Sequence, residues 1–292
     1  MGASCIVCGN SRLVPRHDYI GCLDCGHEAL SADTGQTYIV NDPLESDAPD
    51  RVTALDRFKN AILQRWMQGS GILVDFGSAS GRFLHQNRRF FDNLIGVEVT
   101  AEVAEFSRHA LGLDVRATVD ALPAGIDVVT CWHSLEHLPR EVLPTVVNGI
   151  SGRLGDYGRV IISVPNAGSL QYRIFGRKYA FYDVPNHHHQ FSMRSLDLVM
   201  ASAGLARQAL ARSWVYNLFG WVQGTINVVG GGHNYLYYRL KRRSGQDRPL
   251  LTSAHLALLP LVALPALAFA GVEAGCAQRQ GVITACYARN RS

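Results

Sequence analysis

GILVDFGSASGRFLHQNRRFF, residues 71–91, sets a short apolar run against a helical pattern, with a glycine-rich turn between them. An apolar run of this length bounded by glycine reads as a buried strand, and the stretch after Gly81 reads as a helix. The turn from Asp75 has the form D-x-G-x-A-x-G. Gly77 and Gly81 let the backbone pass close to a ligand, where a side chain would collide. The helix start behind them offers unpaired N–H groups to an anionic group. On its own, such a turn fits a strand-to-helix junction in any doubly wound fold.

Outward from this turn the alternation repeats. LIGVEV (94–99), LDVRAT (113–118), IDVVTCWHS (126–134), GRVIISVPN (158–166), ARQALARS (206–213) and GVITACYAR (281–289) read as further strands. AEVAEFSRHAL (101–111), REVLPTVVNGISGRL (140–154) and SMRSLDLVMASAGL (192–205) read as helices between them. Upstream, Val52, Leu55, Phe58, Ile62 and Trp66 recur at steps of three and four, which marks another helix. The pattern predicts an α/β, Rossmann-like fold with a seven-stranded, mostly parallel sheet covered on both faces.

Ahead of that core, Cys5-x-x-Cys8 and Cys22-x-x-Cys25 stand 13 residues apart, each pair followed by a glycine, Gly9 and Gly26. Zinc takes four tetrahedral thiolate or imidazole ligands, and each CxxC turn supplies two. The spacing predicts a zinc ribbon with a structural Zn2+ on Cys5, Cys8, Cys22 and Cys25, because four thiolates leave no open position for catalysis. So short a segment buries too little core to fold alone, so the metal supplies its folding free energy. His17 and His27 read as surface residues or neighbours of the metal ligands. The acidic stretch NDPLESDAPD (41–50) reads as a linker.

Further motifs choose among nucleotide-binding folds. Glu98 closes the second strand 21 residues past Gly77, where a carboxylate can accept hydrogen bonds from ribose hydroxyls. IDVVTCWHSLEHLP (126–139), VPN (164–166) and DVPNHHHQFS (183–192) then follow in order. Together with the turn, these resemble the motifs of class I S-adenosylmethionine-dependent methyltransferases, in the UbiE/ubiquinone-type small-molecule branch. The resemblance covers about residues 50–212 and the last strand; Ala79 stands where that family usually has glycine. It implies S-adenosylmethionine held by Asp75, Gly77, Ser78, Ala79, Gly81 and Glu98, with Trp132, His133 and Ser134 flanking it.

Methyl transfer from a sulfonium is an in-line displacement in which the protein chiefly aligns the acceptor. A general base helps when the acceptor is a hydroxyl or protonated amine. Ligands of such sheets bind beyond the carboxyl ends of the strands. The fourth strand places Trp132, His133, Ser134, Glu136 and His137 there, and the fifth places Asn166. His137 is the first candidate base, with His133 and His187 behind it; each also reads as a histidine that merely orders its loop. His188 and His189 read as incidental, because adjacent side chains on an extended segment point apart.

Ser213–Tyr238 holds no charged residue and carries Trp214, Tyr216, Phe219 and Trp221; Arg239, Lys241, Arg242, Arg243 and Arg248 follow. Pro249–Val272 is again uncharged and long enough to span a bilayer. The strands on either side belong to one sheet, so a single span is excluded. A two-span hairpin would put the basic loop on the far side, against the positive-inside tendency. An interfacial element fits better, with helices broken at Pro260 and Pro265 entering one leaflet and the basic loop on anionic headgroups. Such an element points to a lipophilic or lipid-linked acceptor. An apolar lid or dimer face is the other reading.

Hydrophobic residues at 47% of 292 are enough to close one α/β core with small additions. The net charge of +4 forms no concentrated basic stripe, so no nucleic-acid partner is expected. The opening MGASCIVCGN lacks the features of a secretory signal, and clustered cysteines suit a reducing compartment. The expected location is cytoplasmic, at the cytoplasmic face of a membrane. The expected organisation is a zinc ribbon over 1–42, a methyltransferase domain over 43–212, a membrane-associated insertion over 213–279 and a last strand over 280–292. The expected function is S-adenosylmethionine-dependent methylation of a small, lipophilic or lipid-linked acceptor, with oxygen the favoured atom. A nicotinamide-dependent oxidoreductase and a non-catalytic, membrane-bound zinc-ribbon scaffold are the alternatives.

Overall fold

The computed structural model describes residues 4–31, 50–230, 232–240 and 248–290. Most of the 41–50 linker, the end of the 1–42 segment and residues 241–247, with Lys241, Arg242 and Arg243, lie outside the described residues. Three short strands come first: β1 (Leu13–Arg16), β2 (Tyr19–Cys22) and β3 (Glu28–Leu30), paired antiparallel. Helix α1 (Ala54–Trp66) starts at Thr53, whose hydroxyl accepts from the Asp56 amide while the Asp56 carboxylate accepts from the Thr53 amide. This reciprocal cap fixes where the helix begins.

The core then alternates as the pattern predicts. It runs β4 (Ile72–Phe76), α2 (Arg82–Asn87), β5 (Asn93–Val97), α3 (Ala101–Leu111), β6 (Asp114–Arg116), β7 (Ile126–Trp132), α4 (Val142–Arg153) and β8 (Leu154–Pro165). After α5 (Leu170–Phe175), β9 (His189–Gln190), α6 (Met193–Ser202) and β10 (Leu205–Leu210) come the helices α7 (Trp214–Val229), α8 (Tyr235–Leu240) and α9 (Pro249–Gly275), and finally β11 (Val282–Arg289). The central sheet has seven strands in the order β10-β11-β8-β7-β4-β5-β6. Strands β4 to β8 pair in parallel, and β11 lies antiparallel between β8 and β10. This is the Rossmann-like α/β sheet expected from the sequence.

The continuous apolar runs are explained by burial on both faces. Val74, Val129 and Ile162 meet Leu143 and Val147 of α4 and Leu196 and Met200 of α6. Their chain neighbours Leu73, Val128 and Ile161 point the other way, against Leu63 and Trp66 of α1 and Phe83 and Leu84 of α2. From β4 the sheet grows to β5 on one side and β7 on the other. A crevice therefore opens beyond their carboxyl ends, where open α/β sheets bind ligands.

Two expectations change. Helix α9 runs unbroken through Pro260 and Pro265. Both rings sit on its exposed side, while His255, Val262, Ala266, Ala270 and Glu273 form the buried stripe, so the prolines do not disturb packing. Leu250, Leu261, Leu264, Leu267, Phe269 and Val272 are exposed on the outer side. By length and composition α9 could cross a membrane. Its last turn is anchored to protein, since Glu273 accepts from the Gln171 amide at 2.6 Å and the Trp221 indole at 3.0 Å.

Secondly, His27 and His189 pack together where the cysteine segment meets the core. The segment's strands form a four-stranded sheet β1-β2-β3-β9, in which Ala29 pairs with His189 and Glu28 with Gln190. His27 and His189 are buried, with ring nitrogens 3.3 Å apart, so neither is a surface or incidental residue. His188 is also structural: its amide donates to the Glu136 carbonyl and its carbonyl accepts from the Leu30 amide.

Candidate active site

The turn after β4 occupies the crevice mouth. Gly77, Ala79 and Gly81 have φ of 76°, 46° and 76°. A Cβ on Gly77 would lie 2.6 Å from the Ser134 Cβ, and one on Gly81 would lie 2.4 Å from a Leu113 methyl. Left-handed backbone and close neighbours together demand glycine at both positions. Ala79 adopts the same region with a methyl, at a cost of roughly 1 kcal/mol. The first-turn amides of α2 have no side-chain cap.

Glu98, one residue past β5, is buried and locked to the turn. Its carboxylate accepts from the Ala79 amide at 3.0 Å and the Thr100 amide at 2.8 Å. A carboxylate has about four acceptor positions, so two bonds orient it and leave capacity for ligand hydroxyls. Asp75 is deeper: it is buried and accepts from the Thr130 hydroxyl at 2.6 Å. Burial pushes its carboxyl up to about 7, although Thr130 works in the opposite direction. The Ser78 and Ser134 hydroxyls, the Trp132 indole N–H and the Thr100 hydroxyl are buried without partners among the described residues. Unpaired buried polar groups are costly and rare, and these four lie on the segments framing the crevice. The residues present therefore fit a polar nucleoside ligand.

His133 stands at the end of β7 with φ 55°, unusual for a residue with a side chain. Its Nδ1–H donates to the fully buried Glu136 carboxylate at 3.1 Å, and its Nε2 is buried without a partner among the described residues. Glu136 thus fixes the tautomer and leaves Nε2 able to accept a proton. His137 Nδ1–H instead donates to the Asn186 carbonyl at 2.9 Å, and its ring lies 4.6 Å from that of His187. Burial holds the His187 ring neutral, well below the usual histidine range, with the neighbouring His137 and His133 adding to the effect. The structure brings His133, Glu136, His137 and His187 together; Glu136, His137 and His187 also place three ligand atoms within 4.8 Å of one another, close enough to share a metal ion. Asn166 is turned to the fold, donating to the Gln278 and Gln280 carbonyls.

Sequence reasoning missed two residues of this site. Tyr216, from the first helix of the insertion, meets the His133 ring edge at 5.1 Å, and Phe181 stacks on the His133 face at 5.9 Å. Tyr216 is buried, and burial keeps its phenol protonated far above the ordinary tyrosine range. The lone signal was the aromatic density of the insertion's start.

The cysteines form a second centre. Cys5 Sγ lies 3.6 Å from Cys25 Sγ and Cys8 Sγ 3.6 Å from Cys22 Sγ, and all four sulfurs fall within 4.8 Å of one another. A tetrahedral site with Zn–S bonds of about 2.3 Å has edges of about 3.8 Å, so the four thiols fit a zinc ion.

Comparison with known proteins agrees with the fold. The family model of a methyltransferase domain matches residues 50–210, more than half of the chain. No curated protein matches the sequence. Among solved structures, one assigned as a sarcosine dimethylglycine methyltransferase from Galdieria sulphuraria is similar with a TM-score of 0.51 and 13% identity, over 80% of this chain and 84% of that one. The [4+2]-cyclase SpnF is similar with a TM-score of 0.51 and 14% identity, over 88% of this chain and 90% of its own. Geranyl diphosphate C-methyltransferase from Streptomyces coelicolor A3(2) shows a TM-score of 0.49 and 14% identity, over 81% of each chain. At these identities the likeness is one of fold, and a fold shared with a cyclase leaves the reaction to be argued from the site.

Proposed function

The chain belongs to the methyltransferase-domain family, and on that premise we propose that it methylates a hydroxyl of a small, lipophilic or lipid-linked acceptor at a membrane surface, using S-adenosylmethionine. The motifs read in the sequence favour the UbiE/ubiquinone-type branch. One observation carries the reading: the Ala79 and Thr100 amides hold Glu98 against the glycine turn, at the place where a nucleoside's ribose would sit. Family membership disfavours the oxidoreductase and scaffold alternatives.

Gly77, Ser78, Ala79 and Gly81 would cradle the donor's amino-acid part, Glu98 its ribose hydroxyls, and Trp132 and Ser134 its flank. Asp75, bonded to Thr130, supports the turn from below. S-adenosylmethionine supplies a methyl group activated on a sulfonium. Of the three histidines, the geometry favours His133 as base, since Glu136 holds its Nδ1–H and its Nε2 is free to bond an acceptor hydroxyl. During methyl transfer the acceptor's hydroxyl proton would pass to His133 Nε2. His137 and His187 order the loop beside it.

Four cysteines would hold a structural zinc in the 1–42 segment, which joins the 43–212 domain through β9. In the 213–279 insertion, the exposed outer face of α9 and the basic residues preceding it suit peripheral contact with anionic lipid; residues 280–292 return the chain to the sheet. Incubating the protein with membrane extracts and deuterated-methyl S-adenosylmethionine tests the function. The expected result is a labelled, organic-extractable product of retained oxygen-linked methyl. Label found only in water-soluble products would show that the acceptor is not lipophilic.

A further inference from the structure

A continuous run of aromatic rings joins the histidine cluster to the insertion. Beyond the His133–Phe181 stack, Phe181 meets Phe219 at 5.6 Å, and Phe219 meets Tyr237 at 5.3 Å between centroids. Tyr216 and Phe219 stand on α7, and Tyr237 on α8. Phe181, Phe219 and Tyr237 are only half-buried, so their rings still offer surface.

The track is fixed from both sides. The Asn227 amide donates to the Lys178 carbonyl at 3.0 Å and the Asn234 amide to the Ala180 carbonyl at 2.8 Å, tying α7 and α8 to the loop that carries Phe181. On the far side the Tyr182 hydroxyl donates to Asp18 at 2.7 Å. Asn227 and Asn234 also bond each other, so they are committed to the scaffold and not presented to a ligand with many hydroxyls. At the inner end His133 Nε2 is buried without a partner among the described residues and the Tyr216 hydroxyl is buried in reach of the Ser163 hydroxyl; His233 Nε2, just before α8, is a further buried polar atom.

A polar inner end followed by an apolar track matches an amphipathic molecule. We propose that α7 and α8 form the acceptor-recognition element of this enzyme: Phe181, Phe219 and Tyr237 seat the hydrocarbon chain of a hydroxylated lipid whose hydroxyl meets His133 and Tyr216. The inference rests on the methyltransferase reading and adds to it the acceptor's shape and the residues that select it. Tyr216 touches the acceptor hydroxyl, and Phe219 selects for the chain.

The test uses the zinc-loaded full chain saturated with S-adenosylhomocysteine, titrated calorimetrically with phenol and with 4-dodecylphenol below its aggregation limit. The long-chain phenol is expected to bind at one site, and Phe219→Ala to weaken it by about tenfold while leaving phenol unchanged. Tyr216→Phe should weaken both probes alike. Leu264→Ser, on the outer face of α9, should alter neither, which separates the track from adsorption to exposed helix. S-adenosylhomocysteine affinity, measured on every variant, reports that the fold is intact. If it is intact and Phe219→Ala binds 4-dodecylphenol as the parent does, or the parent shows no single site, the track is wrong and the methyltransferase reading stands. If the parent takes up no S-adenosylhomocysteine, both fall.

Discussion

The Tyr19 hydroxyl, on the second strand of the cysteine module, donates to the His187 carbonyl at 3.1 Å, 168 residues away in sequence. Around that bond β3 pairs with β9, the Tyr172 hydroxyl donates to Glu28, and Arg177 forms an ion pair with Asp18 at 2.6 Å. The segment carrying His187 is thus held by the cysteine module as well as by the domain it belongs to.

Removing zinc should therefore loosen residues far from the cysteines. With the thiols unliganded, the amides of Leu30 and of residues 187–190 are expected to exchange with deuterium faster, while those of β4 and β7 keep their protection. Hydrogen exchange before and after chelation checks this; unchanged exchange at 187–190 would show that the docking does not depend on the metal.

His133→Asn tests the base. Asparagine tolerates the left-handed backbone at this position, so the change removes the imidazole with little strain. Turnover is expected to fall by roughly 10²–10⁴-fold, with S-adenosylhomocysteine affinity preserved. Glu136→Gln should lower turnover less, because it keeps an acceptor for His133 Nδ1–H and loses only the charge. If His137→Asn reduces turnover more than His133→Asn, the base is misassigned.

Glu98→Ala removes the acceptor shared by the Ala79 and Thr100 amides as well as the group read as the ribose ligand. Cofactor affinity should fall by about tenfold or more, since bonds to a charged group contribute about 1.5–3 kcal/mol. Circular dichroism should stay that of the parent. Unchanged affinity in calorimetry would refute the ribose role.

Asp75 makes a pH-dependent prediction. Its carboxyl titrates near 7 in the folded chain and near 4 when unfolded, so between these values the native state holds a proton that the unfolded state has lost. Its contribution to stability therefore declines as pH rises from about 4 to about 7. Asp75→Asn keeps an acceptor for Thr130 and should be more stable than the parent at pH 8 but equal to it near pH 4, at about 1.4 kcal/mol per unit of pKa difference. Denaturant midpoints at the two pH values check the sign.

Much of the sheet could be read from the chain because its signals are local. Leu73 and Val74, or Ile161 and Ile162, are neighbours buried on opposite faces, and that doubles as an uninterrupted apolar run. Helix α3 matches its sequence pattern from Ala101 to Leu111, with Gly112 ending it at φ 64°. The turn and Glu98 were visible for the same reason. The pairing of Ala29 with His189 has no local period, since a two-residue strand takes its partner from the other end of the domain. Tyr216 looked like one aromatic among several, and only the return of α7 over the crevice brings it to His133. The hydrogen bond that ties His133 Nδ1 to Glu136 is likewise a contact of the folded chain, which no local period announces.

The most direct test is equilibrium binding of S-adenosylhomocysteine to the purified, zinc-loaded full chain, with NADH as competitor. Saturable uptake of one equivalent, unaffected by NADH, is expected of a chain that holds S-adenosylmethionine in this crevice. No saturable uptake, or displacement of the bound nucleoside by NADH, would contradict that reading.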